Sequence, residues 1–104
     1  MSVLERLAAT IEARRGADPK SSWSAKLLAK GPAKAAEKFG EEAVEAIIEA
    51  ARGDKAALTA EAADVLYHFL VMLAASDVPF KAVLKELERR EGQSGMDEKA
   101  SRKR

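Results

Sequence analysis

Residues 32–75 read PAKAAEKFGEEAVEAIIEAARGDKAALTAEAADVLYHFLVMLAA and contain the clearest structural signal in the chain. Apolar residues recur there at intervals of three and four, which is the period of an α-helix. Pro32 suits the first turn of a helix, and Gly53 with Asp54 makes a tight reversal whose aspartate can cap a following helix. The stretch therefore predicts two helices that meet at this reversal and pack as an antiparallel hairpin.

The helical period extends outward from the hairpin in both directions. The five predicted helices run from about Val3 to Arg15, Ser22 to Lys30, Pro32 to Arg52, Asp54 to Ala75 and Pro79 to Glu91. The sequence shows no strand-like alternation, and from Gly92 onward it turns polar. We expect an all-α antiparallel helical bundle, with a helical domain at 1–91 and a basic flexible tail at 92–104.

The apolar composition predicts a thin core. Alanine accounts for 22 of the apolar residues, which leaves 27 larger apolar side chains in 104 residues. The third helix is expected to bury one apolar face, made of Ala36, Phe39, Ala43, Val44, Ile47, Ile48 and Ala51. The fourth helix is apolar on nearly all sides, and a single layer of helices cannot cover all of them. We therefore expect dimerisation to complete the bundle.

Composition and charge argue against several classes of function. The chain contains no cysteine, so disulfides, thiol nucleophiles and cysteine-ligated metals are excluded. We expect no membrane segment and a cytoplasmic protein, because no apolar run approaches about 18 residues and the N-terminus lacks a signal-peptide pattern. The net charge is +1 and includes an acidic third at 41–64, so nucleic-acid binding is disfavoured.

Acidic side chains form a stripe along the third helix. At about 100° per residue, Glu42, Glu45 and Glu49 share one side, opposite the predicted apolar face. Lys34 and Lys38 continue the stripe toward the start of the helix. Taken alone, this pattern is the ordinary solvated face of an amphipathic helix.

The fourth helix changes that interpretation. Between Ala60 and Ala75 its only strongly polar side chains are Glu61, Asp64 and His68, again on one stripe. Buried carboxylates are costly unless they are paired or bind a metal, and the hairpin can bring these acids beside those of the third helix. Oxygen ligands without histidine or thiol favour Mg²⁺, or Mn²⁺, over zinc.

Salt bridges are the structural alternative to a metal. Lys30, Lys34 and Lys38 could neutralise the acids, although these lysines lie toward the start of the third helix, away from the acids of the fourth. His68 is expected to be a hydrogen-bonded core residue, and Trp23 a packing anchor.

Several blocks of the sequence carry a family resemblance. Glu42-x-x-Glu45, a gap of fifteen residues and Glu61-x-x-Asp64 resemble the metal-binding signature of the all-α nucleoside-triphosphate pyrophosphatase superfamily, which includes MazG-like enzymes and dimeric dUTPases. The flanking blocks are LLAKGP at 27–32, KFGEEAVE at 38–45, EAADVLYH at 61–68, LERR at 87–90 and SGMDEKASRK at 94–103. Together they resemble the phosphoribosyl-ATP pyrophosphatase family of histidine biosynthesis. Phe39 departs from the smaller aliphatic residue expected at its position.

That resemblance implies hydrolysis of the small molecule phosphoribosyl-ATP to phosphoribosyl-AMP and pyrophosphate. It implies that the Mg²⁺ ligands are Glu42, Glu45, Glu61 and Asp64. Glu41, the neighbouring acid that the stripe does not need, is the candidate water-activating base, with a solvated glutamate as the alternative. Contacts to the substrate phosphates are expected from Lys30, Lys34, Lys38, Lys99 and Arg102.

Two other functions stay open at the level of the sequence. A MazG-like house-cleaning nucleoside triphosphate pyrophosphatase would use the same acids, and only the flanking blocks speak against it. A helical adaptor that docks a basic partner on an acidic stripe would need those acids exposed.

Overall fold

A computed structural model describes residues 2–92 and Arg102. Within that part of the chain there are five helices and no strand: α1 (Val3–Ala13), α2 (Trp23–Ala29), α3 (Pro32–Arg52), α4 (Lys55–Ala75) and α5 (Phe80–Arg90). The all-α prediction is confirmed. Apart from Gly92 and Arg102, the predicted flexible tail lies outside the described residues.

The predicted hairpin is formed by α3 and α4. The α3 helix ends at Gly53 in the left-handed conformation (φ 78°), which glycine adopts without a steric penalty. The Asp54 side chain then accepts a hydrogen bond from the backbone N–H of Ala57 at 2.9 Å and caps α4. This two-residue connection turns the chain back, and α3 and α4 form the most extensive helix contact in the fold.

The apolar core lies at one end of the hairpin. Its buried members come from α1, α2, the start of α3 and the second half of α4; they are Ile11, Leu27, Ala35, Leu70, Val71 and Ala74. Leu4, Leu7 and Ala8 of α1 pack against them. The first half of α4 contributes no apolar residue to this buried cluster.

Most of the predicted buried face of α3 is wrong for the single chain: only Phe39 and Ala43 are partly buried, and the Phe39 ring lies 6.1 Å from that of Phe69 on α4. Val44, Ile47 and Ile48 are 55%, 65% and 48% exposed, and Ala36 and Ala51 are exposed as well. The physical reason is that α4 packs against the side of α3 that carries Glu42 and Glu49. Within the described residues no other helix covers the aliphatic side.

The α4 helix is, by length and composition alone, apolar enough to cross a membrane. A core helix of a protein in water passes the same test, and α4 packs against all four other helices. Its apolarity therefore gives no reason to infer a membrane span.

Candidate metal centre

The hairpin brings the acids of α3 and α4 to matching heights. Glu45 and Glu61 lie eight residues before and after Gly53, while Glu42 and Asp64 lie eleven residues before and after it. Residues equally far from the turn of an antiparallel helix pair face one another, here about 12 and about 16 Å along the helices. The two acid pairs therefore meet across the α3–α4 contact.

Three of the acids converge on one point. One carboxylate oxygen from each of Glu42, Glu45 and Glu61 lies within 4.8 Å of the other two. Oxygens that bind one Mg²⁺ at about 2.1 Å lie about 3 to 4 Å apart, so small side-chain rotations suffice to bring these three around a cation. Glu42 and Glu61 are half-buried and Glu45 is exposed, so the cluster opens to solvent on the Glu45 side.

Buried oxygens of the cluster lack hydrogen-bond donors. The Glu42 side chain is only 17% exposed, and Oε2 of Glu42 and Oε2 of Glu61 are buried without a hydrogen-bond partner among the described residues. A buried carboxylate oxygen without a donor is costly because it loses its hydration. A divalent cation would compensate both oxygens at once.

The electrostatics of the cluster show an excess of negative charge. A hydrogen bond with Glu45, burial, and the charges of Glu45, Asp64 and Glu61 together raise the pKa of Glu42 from 4.5 to about 7. Burial, a hydrogen bond with Glu45 and the nearby carboxylates also raise the pKa of Glu61. Like charges held close together produce this direction of shift, and a bound cation would reverse it.

Asp64 lies at the edge of the cluster. It follows Glu61 by one helical turn and is exposed. It does not belong to the group of three converging oxygens. Its charge nevertheless raises the pKa of both Glu42 and Glu61, so its carboxylate lies near the other acids.

The lysines pair with acids outside the cluster. The Nζ atom of Lys34 lies 3.1 Å from Oε2 of Glu37, and that of Lys38 lies 3.4 Å from Oε1 of Glu41. Among the described residues, no lysine forms an ion pair with Glu42, Glu45 or Glu61, which argues against the salt-bridge alternative.

The other predicted site residues do not belong to the group of three converging carboxylates. Glu41 is exposed, and its carboxylate forms an ion pair with Lys38. Lys30 is exposed at the C-terminal end of α2. Lys99 lies outside the described part of the chain, and Arg102 is an exposed residue beyond the last helix.

Sequence reasoning assigned no role at the site to His68 or Glu49. His68 is 6% exposed, with its Nε2 atom 3.7 Å from Oε1 of Glu42, and burial lowers its pKa. The expected hydrogen bonds of a core histidine are absent in the described part, where Nδ1 has no partner. Glu49 lies on the side of α3 that packs against α4, and its Oε1 atom is 3.5 Å from the Nη1 atom of Arg52. The sequence signal for Glu49 was its place on the acidic stripe of α3, and that for His68 was its place on the stripe of Glu61 and Asp64.

Comparison with known proteins identifies the family of the chain. The model of the phosphoribosyl-ATP pyrophosphohydrolase family matches residues 4–91. The chain is 76% identical over 102 residues to a phosphoribosyl-ATP pyrophosphatase of Cereibacter sphaeroides, covering 98% of this chain and 99% of that protein. Proteins of the same name from Dinoroseobacter shibae and Ruegeria pomeroyi are 78% and 72% identical, over 98% of this chain and 100% and 97% of theirs.

Proposed function

The chain belongs to the phosphoribosyl-ATP pyrophosphohydrolase family, and we propose that it hydrolyses phosphoribosyl-ATP to phosphoribosyl-AMP and pyrophosphate in histidine biosynthesis. The observation that carries the proposal is the cluster of Glu42, Glu45 and Glu61, whose oxygens converge inside a hairpin that the family match spans. We place the reaction in the cytoplasm.

Mg²⁺, with Mn²⁺ as the alternative, is the proposed cofactor. Glu42, Glu45 and Glu61 would hold it, with Asp64 as the fourth carboxylate from the turn after Glu61. The partnerless oxygens of Glu42 and Glu61 and the all-oxygen donor set support a hard divalent cation. Bound there, the cation would offset the triphosphate charge and polarise the phosphorus under attack.

Glu41 is the proposed general base. It neighbours the metal ligand Glu42, and its exposed carboxylate can take a proton from an attacking water. The water oxygen forms a bond to phosphorus, the α–β phosphoanhydride bond breaks, and the pyrophosphate oxygen leaves with the bond's electron pair. The ion pair with Lys38 would hold the Glu41 carboxylate beside the site.

Basic residues would bind the phosphates of the substrate. Lys30, Lys34 and Lys38 lie along the approach to the acids from the N-terminal end of α3. That end has no side-chain cap, and because Pro32 has no N–H and Ala35 donates to Gly31, the N–H groups of Ala33 and Lys34 are the ones available to an anion. Lys99 and Arg102 are the proposed contacts from the C-terminal segment.

We also propose that two copies of the chain form the working enzyme. Val44, Ile47 and Ile48 lie on the outer side of α3, and Leu66 is an exposed apolar residue on α4. Packing two hairpins through these faces would make a four-helix bundle and remove the exposed aliphatic surface from water. Each copy would keep its own acid cluster on the inner side of the hairpin.

The deciding experiment is a pyrophosphate-release assay with Mg²⁺ and three substrates. We expect rapid turnover of phosphoribosyl-ATP and little of ATP or dUTP. Equal turnover of all three would indicate a house-cleaning enzyme of the MazG type instead. No release from any substrate would leave the acids as a docking surface, although the burial of Glu42 argues against that role.

A further inference from the structure

We propose that His68 is a positioning residue that holds the Glu42 carboxylate in its metal-binding orientation. This inference rests on the proposed function, because it assumes that Glu42 binds a divalent cation. The contact that carries it is between Nε2 of His68 and Oε1 of Glu42, 3.7 Å apart across the α3–α4 contact.

The two oxygens of Glu42 have different surroundings. Oε1 faces the imidazole of His68, whereas Oε2 is buried and has no hydrogen-bond partner among the described residues. The distance of 3.7 Å is longer than a hydrogen bond, so Nε2–H would donate to Oε1 only after a shift of several tenths of an ångström. That hydrogen bond would fix the rotation of the carboxylate and leave Oε2 to bind the cation. A carboxylate that can rotate freely would lose this preorganisation.

The imidazole also contacts an aromatic ring. The ring of Tyr67 meets the His68 ring edge-on, with centroids 5.1 Å apart. The Tyr67 hydroxyl is hydrogen-bonded to Oγ of Ser24 on α2 at 2.7 Å. The position of the ring is therefore tied to a helix outside the hairpin.

Stability alone does not account for a histidine at this position. The residue is 6% exposed and its Nδ1 atom is buried without a partner in the described part of the chain. An unpartnered buried nitrogen destabilises a fold, and leucine would fill similar space without that cost. A role for Nε2 explains why a polar ring lies there.

Mn²⁺ binding in the absence of substrate tests the proposal. Followed by electron paramagnetic resonance, His68→Leu should bind Mn²⁺ about 10-fold or more weakly than the parent. His68→Gln, whose amide nitrogen can reach the position of Nε2, should bind within about threefold of the parent. His68→Asn reaches only the position of Nδ1 and should resemble His68→Leu.

Val71→Ala is the matched control, because Val71 is buried on the same helix and belongs to the apolar core cluster. It should lower the melting temperature and leave Mn²⁺ affinity unchanged. Parent-like Mn²⁺ affinity in His68→Leu, or equal affinities in the Gln and Asn variants, would overturn the proposal. Absence of Mn²⁺ binding by the parent would instead refute the metal site itself.

Discussion

The α1 and α3 helices are both amphipathic, yet they face opposite ways. The α1 helix turns Leu7 and Ile11 toward the core and leaves its charged residues in solvent. The α3 helix turns Glu42 toward α4 and leaves Ile47 outside. Amphipathicity thus identifies which residues share a side of a helix, but not which side faces the protein interior.

The difference between the two helices has a physical cause. For α1, burying the apolar side is the only stabilising arrangement. For α3, the inner side holds the candidate metal centre, where carboxylates lie close together and the pKa of Glu42 is raised to about 7. With the acids on the inner face, the outer aliphatic face of α3 is exposed in the single chain, and we propose that a second copy of the chain covers it.

Removing a carboxylate from the inner face of α3 should have the largest effect. Glu45→Gln keeps the shape of the side chain but exchanges a charged oxygen ligand for an amide. We expect the Mg²⁺-dependent kcat/KM to fall roughly 10³-fold or more.

Glu88→Gln is the control, since Glu88 is an exposed glutamate on α5. It should keep the activity of the parent. A loss below tenfold in Glu45→Gln would mean that the inner face of α3 is not the metal site.

A charge on the outer face of α3 should separate the proposed dimer. Ile47→Glu places a carboxylate at the centre of the aliphatic surface, and we expect the dimer dissociation constant to rise at least 100-fold. Sedimentation velocity measures this as a shift toward a species of 11.2 kDa.

Val3→Glu provides the comparison, because Val3 is also an exposed aliphatic residue but lies at the start of α1. It should leave the sedimentation behaviour unchanged. A parent that sediments as a monomer at micromolar concentration would contradict the proposed bundle.

Local signals explain why so much of the fold could be predicted. Gly53 and Asp54 form a turn and a cap within two residues, so the α3–α4 hairpin and the facing of its acids follow from the sequence alone. The exposure of Val44, Ile47 and Ile48 could not be predicted, because the sequence does not show whether another helix covers that side of α3. The contact of His68 with Glu42 was also beyond reach, since it depends on side-chain orientation across two helices.

The carboxylate of Glu42 on the inner side of α3 should make the stability of the fold depend on pH. Below about pH 7 the folded chain keeps a proton on Glu42 that the unfolded chain, with its ordinary pKa of 4.5, releases. Stability in EDTA should therefore fall as the pH rises from 5.5 to 7.5, by about 1 kcal/mol or a few degrees in the melting temperature.

Glu42→Gln should reduce that fall, because Glu61 keeps its own raised pKa, and it should melt no lower than the parent at pH 7.5. His68 contributes with the opposite sign, because its lowered pKa favours the folded state as the pH rises. The difference between parent and variant isolates Glu42. An equal pH slope in both proteins would contradict the raised pKa.

The smallest predicted effect concerns the contact between α2 and α4, where a polar contact should stabilise the fold. The Tyr67 hydroxyl joins α4 to Ser24 of α2 through a part-buried hydrogen bond of 2.7 Å. Tyr67→Phe should lower the free energy of unfolding by about 1 kcal/mol, opposite in sign to Glu42→Gln in EDTA. Ser24→Ala should have a similar effect, and the double variant should lose less than the sum of the two because the bond is shared. Thermal melts of the four proteins at pH 7.5 measure the coupling. If the effects of the two single variants on the free energy of unfolding simply add, the hydrogen bond contributes nothing. Tyr67→Phe could then not serve as the reference for the opposite effect of Glu42→Gln.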